Sequence, residues 1–255
     1  MKHPFRFFLG VGLLALVVPV AVEAADVRVL ASLPMRGPVA GLADAFGRDT
    51  GHRVEFVFAI SPELVKRLAG GEAADAVVLT RGSFDDAMKA GRVIGGSRTE
   101  VGRIGVGVMV RAGTTAPDIS TPDALKKALL DADTLVFNQR QSGTHFAGVL
   151  ERLGIAGEVK AKSNRPEVDA GVFEHVRNGK GKDLAITNLT TIMADGGKTV
   201  RLVGPLPEQL QSYEPYLAGL TANAKSPDAA KAFIGFLTSP QTKATLAKRG
   251  VDQAK

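Results

Sequence analysis

Short apolar runs alternate with amphipathic segments along the first third of the chain. Residues 27–31, 54–58 and 76–79 form short, mostly apolar runs that contain β-branched side chains, and the first two include one charged residue each. Between the first two runs, apolar residues recur at helical spacing over residues 39–46, and a second helical pattern covers residues 62–68. This βαβαβ order predicts a parallel sheet with right-handed crossovers, covered by helices on both faces.

The alternation continues through the rest of the chain. We predict strands at residues 104–110, 134–137, 184–187 and 213–220, and helices that open at Pro122 and near Ser142 or cover residues 168–176, 227–237 and 240–248. Two α/β units joined by two long crossing strands favour two lobes with a cleft between them. The predicted lobes are residues 25–105 with 216–255, and residues 106–215. The fold class is therefore α/β, with a mixed, largely parallel sheet flanked by helices in each lobe.

The N-terminus has the pattern of a secretory signal peptide. Lys2 and Arg6 precede an uncharged, mostly apolar run over residues 7–22, and residues 22 and 24 are small. We expect residues 1–24 to be removed by cleavage after Ala24 and the protein to be exported to the periplasm. The alternative is an uncleaved anchor, but a bilayer-spanning helix needs about 20 apolar residues and this run is shorter. No stable membrane insertion is expected after cleavage.

Composition argues against several classes of protein and of site. The 255 residues include no cysteine, so a disulfide, a thiolate metal site and a lipid-bearing cysteine are excluded. The formal net charge is +6 and aromatic residues make up 5% of the chain, but no run of five or six basic residues occurs. This scattered charge argues against nucleic-acid binding. We expect a monomer that has neither a cofactor nor a resident metal.

Three junctions between a strand and a helix share an arrangement that suits anions. The first strand leads to Gly37-Pro38, the second to Ser61-Pro62-Glu63, and the strand at residues 134–137 leads to a helix opening near Ser142. Each junction offers unpaired backbone N–H groups and the positive end of a helix dipole. One such junction alone is better explained as a helix cap, worth about 1 kcal/mol. Three of them at the carboxyl ends of strands favour a binding site.

Four segments, in their order and spacing, point to one family. They are "VRVLASLPMRGPVAGLADAFGRDTGHRVEFVFAISPELVKRLAGGEAADAVVL", "SGTHFAGVLERLGI", "VGPLPEQLQSY" and "SPDAAKAFIGFLTSPQTKATLAKRGV". The chain resembles the periplasmic molybdate-binding proteins, the substrate-binding components of ABC importers, and in particular their relatives of unassigned ligand. The resemblance covers essentially all of the mature chain. It implies a two-lobed periplasmic binding protein fold of the second type, which holds a tetrahedral oxyanion by hydroxyls and backbone amides without counter-charges.

The resemblance also assigns ligand contacts to positions of this chain. The family's hydroxyl after the second strand falls on Ser61. The one after the first strand falls within residues 32–34: a gapless register puts Pro34 there, which has neither a hydroxyl nor an N–H, and a shifted register puts Ser32 there. Backbone contacts at two helix starts of the second lobe fall on Ser142 and, approximately, on Asp169. The family's tyrosine hydroxyl is replaced by the amide of Asn188, which is polar but of a different shape.

Two arginines near these junctions depart from a charge-free oxyanion site. Arg36 lies in the first junction and Arg140 in the third. Arginine suits a carboxylate or phosphate through paired hydrogen bonds. The alternative is that each arginine points to solvent or pairs with a nearby acid. Arg36, just before Gly-Pro at a helix start, is the stronger candidate for a ligand contact.

The sequence lacks the usual motifs of catalysis. It has no Gly-x-Ser-x-Gly elbow, no HExxH, no P-loop and no GxGxxG after the first strand. Ser142 and His145 are three residues apart at a helix start, which does not by itself make a nucleophile and base pair. His145 is better explained by packing or solvent exposure than by ligand binding. We therefore expect a protein that is not an enzyme.

The function predicted from these observations is capture of a small anion for an ABC importer permease. The expected ligand is an oxyanion such as molybdate or tungstate, bound as ligand rather than as a resident metal. Two alternatives stay open. One is a small organic carboxylate taken up in the same way, and the other is a periplasmic sensor subunit that docks on a signalling receptor.

Overall fold

The computed structural model describes residues 24–253. The predicted signal peptide therefore lies outside the described residues, except for Ala24. Within residues 24–253, no helix is long and apolar enough to cross a membrane.

The strands and helices follow one another closely along the chain. The strands are β1 (Asp26–Ser32), β2 (Arg53–Ala59), β3 (Ala76–Thr80), β4 (Thr99–Ile104), β5 (Val106–Arg111), β6 (Thr134–Phe137), β7 (Ser163–Asn164), β8 (Asp183–Asn188), β9 (Val200–Pro205), β10 (Glu214–Leu220) and β11 (Val251–Asp252). The helices are α1 (Arg36–Val39), α2 (Leu42–Thr50), α3 (Ser61–Ala69), α4 (Arg81–Lys89), α5 (Pro122–Asp131), α6 (Gln141–Arg152), α7 (Ala156–Val159), α8 (Asp169–Asn178), α9 (Leu189–Ala194), α10 (Pro227–Leu237) and α11 (Pro240–Ala247).

The strands form two sheets, and the chain crosses between them twice. The first sheet has the order β11-β4-β10-β3-β1-β2 and the second the order β7-β6-β8-β5-β9. The chain enters the second sheet between β4 and β5 and returns between β9 and β10. Helices flank both sheets, so the predicted α/β class, with a mixed sheet in each unit, is confirmed. The lobe boundaries at residues 105 and 215 stay a prediction.

Antiparallel pairs are more frequent in both sheets than the sequence led us to expect. β1 is parallel to β2 and β3, and β6 is parallel to β7 and β8. The strands that follow the two crossings pair antiparallel with their neighbours: β10 with β3 and β4, and β5 with β8 and β9. A chain that enters a sheet from the other lobe arrives from the opposite direction, so these strands insert antiparallel.

Both faces of both sheets are covered by apolar side chains. On one face of the first sheet, Phe46 of α2 and Phe233 of α10 meet edge to face, with ring centroids 5.2 Å apart. Leu64 of α3 and Phe84 of α4 cover the opposite face of this sheet. In the second sheet, Phe137 meets Phe146 of α6 with centroids 5.1 Å apart. Burial on both faces explains why β3 and β5 are apolar along most of their length rather than alternating.

Two predicted elements are divided by glycines. The helical pattern over residues 39–46 is broken before α2, because Gly41 adopts a φ of 74°, which favours glycine. Gly37 of the first junction lies inside the short α1, whose cap position is Met35. The long strand predicted at residues 104–110 is split at Gly105, where the side chains of Tyr213 and Gln211 pack against the backbone. The elements that were not predicted are helices α4, α7 and α9 and strands β4, β7, β9 and β11.

Candidate functional site

Two serine hydroxyls meet at the carboxyl ends of the first three strands. Ser32 ends β1 and Ser61 opens α3 after β2, and their hydroxyl oxygens are hydrogen-bonded to each other. The backbone N–H of Thr80, at the end of β3, donates to Ser61 Oγ over 3.1 Å. Both serines are buried, with 1% and 4% of their surfaces exposed. One hydroxyl proton is used between the serines, so the other is available to a ligand.

The position of Ser61 differs from that of an ordinary helix cap. Ile60 occupies the cap position of α3, and no side chain caps this helix. The Ser61 hydroxyl turns instead towards the ends of β1 and β3. The simplest alternative for the Ser-Pro-Glu sequence, a capping hydroxyl, is therefore not what the structure contains.

On the second sheet, the side chain of Asn138 connects several polar groups at the carboxyl ends of β6 and β8. Its oxygen Oδ1 accepts from the backbone N–H groups of Arg140 and Gly143, at 2.9 and 3.2 Å. Its nitrogen Nδ2 donates to Ser142 Oγ at 3.2 Å and to Asp169 Oδ1 at 2.6 Å. Asn138 itself is buried. Because two backbone N–H groups fix Oδ1, Nδ2 must point towards Asp169.

Gly143 permits this close approach. A Cβ atom on Gly143 would lie 1.8 Å from the backbone oxygen of Asn138, a distance that no side chain can occupy. The start of α6 thus packs directly against the loop that carries Asn138. Thr187, which is fully buried in β8, completes the cluster by donating from Oγ1 to Asp169 Oδ1 over 2.6 Å.

Tyr216 is a buried tyrosine of the first sheet that lies near carboxylates of both sheets. It lies in β10 opposite Thr80 and has 2% of its surface exposed. Burial raises the pKa of the Tyr216 phenol well above its usual range, and the negative charges of Glu214 and Asp169 raise it further. Asp169 belongs to the second lobe, so its carboxylate is close enough to influence a side chain of the first. The start of α6 contacts β10, and β10 pairs with the end of β3 beside Ser61, so the Asn138 cluster and the serine pair lie on two sides of one cleft.

Direct contacts also join the two lobes beside this cleft. Gln141, the first residue of α6, donates from Nε2 to Glu214 Oε2 of β10. Helix α1 packs against α9, and a Cβ atom on Gly37 would lie 3.0 Å from the Cβ of Ala194. A larger residue at position 37 would hold these two helices further apart.

The remaining predicted residues have different surroundings. Arg36 is exposed, lies with Cζ 5.1 Å from the centre of the Phe58 ring, and forms no ion pair with residues 24–253. Arg140 instead pairs with Glu167, with Nη2 3.1 Å from Oε1. Asn188 is half-buried at the cap position of α9, where its side chain does not cap the helix. His145 is bonded through Nε2 to the backbone oxygen of Leu210 at 2.8 Å, which is a structural contact.

A cavity of about 500 Å³ lies at the other end of the first sheet, beside the amino ends of β1 and β2. Its lining carries charges of both signs. Arg28 pairs with Glu72 at 2.9 Å, and Asp75 accepts from backbone N–H groups of residues 28, 225 and 226. These groups hold strands and loops together. Among residues 24–253, no group of three or more acidic or histidine side chains is placed to hold a metal ion.

The sequence profile of the bacterial extracellular solute-binding proteins matches residues 27–252 of the chain. The chain belongs to this family.

Two relatives of this solute-binding protein are known by name. An aconitate isomerase from a Pseudomonas species is 28% identical over 218 residues, which cover 83% of this chain and 81% of the relative. The molybdate-binding protein ModA of Azotobacter vinelandii is 25% identical over 238 residues, which cover 91% of this chain and 90% of that one.

The fold agrees with the second relative. The periplasmic molybdate-binding protein of Azotobacter vinelandii superimposes with a TM-score of 0.72 at 17% identity, over 90% of this chain and 100% of that structure. The resemblance to the molybdate-binding family is thus confirmed. At this identity the superposition establishes the fold and not the ligand.

The expectation that this solute-binding protein is not an enzyme is contradicted by the first relative, which bears the name of an isomerase. That expectation rested on the absence of nucleophile, metal and phosphate motifs. Moving a proton between two carbons needs none of them, because one carboxylate or hydroxyl in a cleft can act as the base.

The sequence did not single out four groups that border the cleft of this solute-binding protein. They are Asn138, Thr187, Tyr216 and the backbone N–H of Thr80. An asparagine that directly follows a buried strand and precedes a helix start is a recognisable signal, and Asn138 fits it. The other three are brought to the cleft by strand pairing, which the sequence pattern does not encode locally.

The raised pKa of Tyr216 predicts how stability depends on alkaline pH. The folded protein keeps the phenolic proton above pH 10, where an unfolded tyrosine loses it. The contribution to stability is complete below about pH 10 and is lost as pH rises further, by up to about 1.4 kcal/mol per pH unit. In Tyr216→Phe, the free energy of unfolding should fall less steeply between about pH 9 and 11, as measured by urea unfolding. Equal slopes in the two proteins would contradict the assignment.

Proposed function

We propose that this solute-binding protein is exported and captures a small organic anion between its two lobes. The proposal is supported most directly by the two polar clusters at strand ends, the Ser32–Ser61 pair and the Asn138 cluster, and by the contact of Gln141 with Glu214 between the two sheets. The first lobe offers a hydroxyl proton there, and the second offers Ser142 at the start of a 12-residue helix. Ser32, Ser61, Ser142, Asp169, Asn188 and Arg36 are the proposed ligand-binding residues.

An organic carboxylate suits this site better than molybdate or tungstate. Arg36 lies beside the carboxyl end of β2, stacked on Phe58 and without an acidic partner among residues 24–253. A guanidinium can bind a carboxylate through two parallel hydrogen bonds. The relative from Pseudomonas, named for its action on aconitate, favours the same class of ligand. The resemblance to molybdate-binding proteins and the serine pair keep an inorganic oxyanion as the alternative.

Family membership supports a role in uptake. Extracellular solute-binding proteins deliver ligands to membrane partners, so we propose a periplasmic location, reached through the signal peptide, and an ABC importer permease as partner. A sensor subunit that docks on a signalling receptor is the alternative to this partner.

A second candidate function is isomerisation of an unsaturated tricarboxylate. The supporting observations are the 28% identity to aconitate isomerase and the Asp169 carboxylate in the cleft. In a propene tricarboxylate, a base removes a proton from the CH₂ carbon and the double bond shifts by one position. The proton then returns to the former CH carbon. No atom or electron is gained or lost, and the geometry of the new double bond can differ from the old.

The class of ligand can be tested by thermal unfolding of the purified protein. We expect di- or tricarboxylates to raise the melting temperature, because a ligand at about 100 times its dissociation constant adds about 2.7 kcal/mol of stability. Molybdate, tungstate, sulfate and phosphate serve as the comparison set, and Arg36→Gln should weaken the carboxylate response. A response to molybdate and tungstate alone would contradict the organic-anion proposal.

The second candidate is tested separately by proton NMR of trans-aconitate incubated with the protein. Formation of cis-aconitate, and deuterium incorporation from heavy water into the CH₂ position, are the expected results. Boiled protein is the control for spontaneous isomerisation. If aconitate binds but neither isomerises nor exchanges its CH₂ protons, the protein is a binding protein for this compound and not its isomerase.

A further inference from the structure

The carboxylate of Asp169 has an unusual place in a cleft proposed to hold anions. Asp169 is half-buried at the first position of α8, and it forms no ion pair with a basic side chain among residues 24–253. Two neutral groups hold it: Asn138 Nδ2 and Thr187 Oγ1 both donate to Oδ1, each over 2.6 Å. The N-terminus of the ten-residue α8 favours a negative charge at this position.

The two donors are committed to Asp169 and cannot turn towards a ligand. The amide of Asn138 is fixed by the backbone N–H groups of Arg140 and Gly143, which hold its oxygen at the start of α6. The single hydroxyl proton of Thr187 is used in the bond to Asp169. The second carboxylate oxygen of the half-buried Asp169, Oδ2, has no hydrogen-bond partner within residues 24–253 and is the acceptor that the cluster leaves free.

An acceptor in this position discriminates between anions. A ligand oxygen without a proton would face Oδ2 with like charge and no hydrogen bond, which is unfavourable in a partly desolvated cleft. A ligand that places a hydroxyl there gains a charge-assisted hydrogen bond. The first lobe differs, because its serine pair has one hydroxyl proton left, which can be donated to a fully deprotonated ligand oxygen.

We propose that Asp169 Oδ2 is the specificity-determining group of the cleft and selects anions that bring a hydrogen-bond donor. The preferred ligands are hydroxy-carboxylates over the corresponding carboxylates, and hydrogen phosphate over sulfate or molybdate. This inference rests on the proposed function in that the ligand occupies the cleft, but it does not require the ligand to be organic.

The test uses pairs of ligands that differ by one donor. Calorimetry on the full protein measures the binding of three pairs: citrate with tricarballylate, malate with succinate, and hydrogen phosphate with sulfate. In the unaltered protein, the donor-bearing member of each bound pair should bind about 10- to 100-fold more tightly. Asp169→Asn should abolish or reverse this preference, because the amide keeps an oxygen for Asn138 and Thr187 and turns its N–H₂ group to the cleft.

Glu167→Gln is the matched control. It removes the same charge two positions away, from an exposed side chain that pairs with Arg140, and should leave every preference unchanged. Unfolding of the ligand-free variants shows whether Asp169→Asn keeps its fold. An unchanged preference in folded Asp169→Asn would overturn the inference, as would tight binding of molybdate to the unaltered protein. If no carboxylate binds but hydrogen phosphate binds more tightly than sulfate, the organic-anion proposal is overturned and the role of Asp169 is supported.

Discussion

The wall of the cleft formed by the second sheet depends on the hydrogen bonds of one buried amide. Asn138 joins the loop after β6 to the start of α6 through its oxygen and to Asp169 through its nitrogen. A buried amide must satisfy its donors and acceptors, so this side chain has one favourable orientation. Removing it would leave the backbone N–H groups at the start of α6 without this acceptor, and Asp169 with Thr187 as its remaining donor. Gly143 is part of the same constraint, since a side chain there would displace the Asn138 loop.

The wall of the cleft formed by the first sheet is simpler, and it offers a hydrogen-bond donor instead of an acceptor. Hydrogen bonds between the two serine hydroxyls and from the Thr80 N–H join the carboxyl ends of the parallel strands β1, β2 and β3. One hydroxyl proton of the serine pair remains free to donate. One wall therefore provides donors and the other ends in an acceptor. A ligand suited to both walls has deprotonated oxygens at one end and a proton to donate at the other. This polarity distinguishes the cleft from a site made only of donors, although the fold is shared with molybdate-binding proteins.

The sequence predicts the elements of this fold better than it predicts the chemistry of the site. Strand β6 and helix α10 have the bounds that the apolar pattern predicts, because their periodicity and proline starts are local signals. Ser61 was identified by its position at a helix start, but its partners in the ends of β1 and β3 are 29 and 19 residues away. Asp169 was assigned a backbone role through resemblance alone. Its side-chain role depends on Asn138, 31 residues earlier, and on Thr187, 18 residues later.

The central claim is that the ligand lies between the serine pair and Asp169. A crystal structure of the protein with the polycarboxylate that most raises its melting temperature tests this directly. We predict ligand density in the cleft, with one oxygen within hydrogen-bond distance of Ser61 Oγ and a donor facing Asp169 Oδ2. Ligand density only in the cavity beside Arg28 and Asp75, with the cleft free of ligand, would contradict the account.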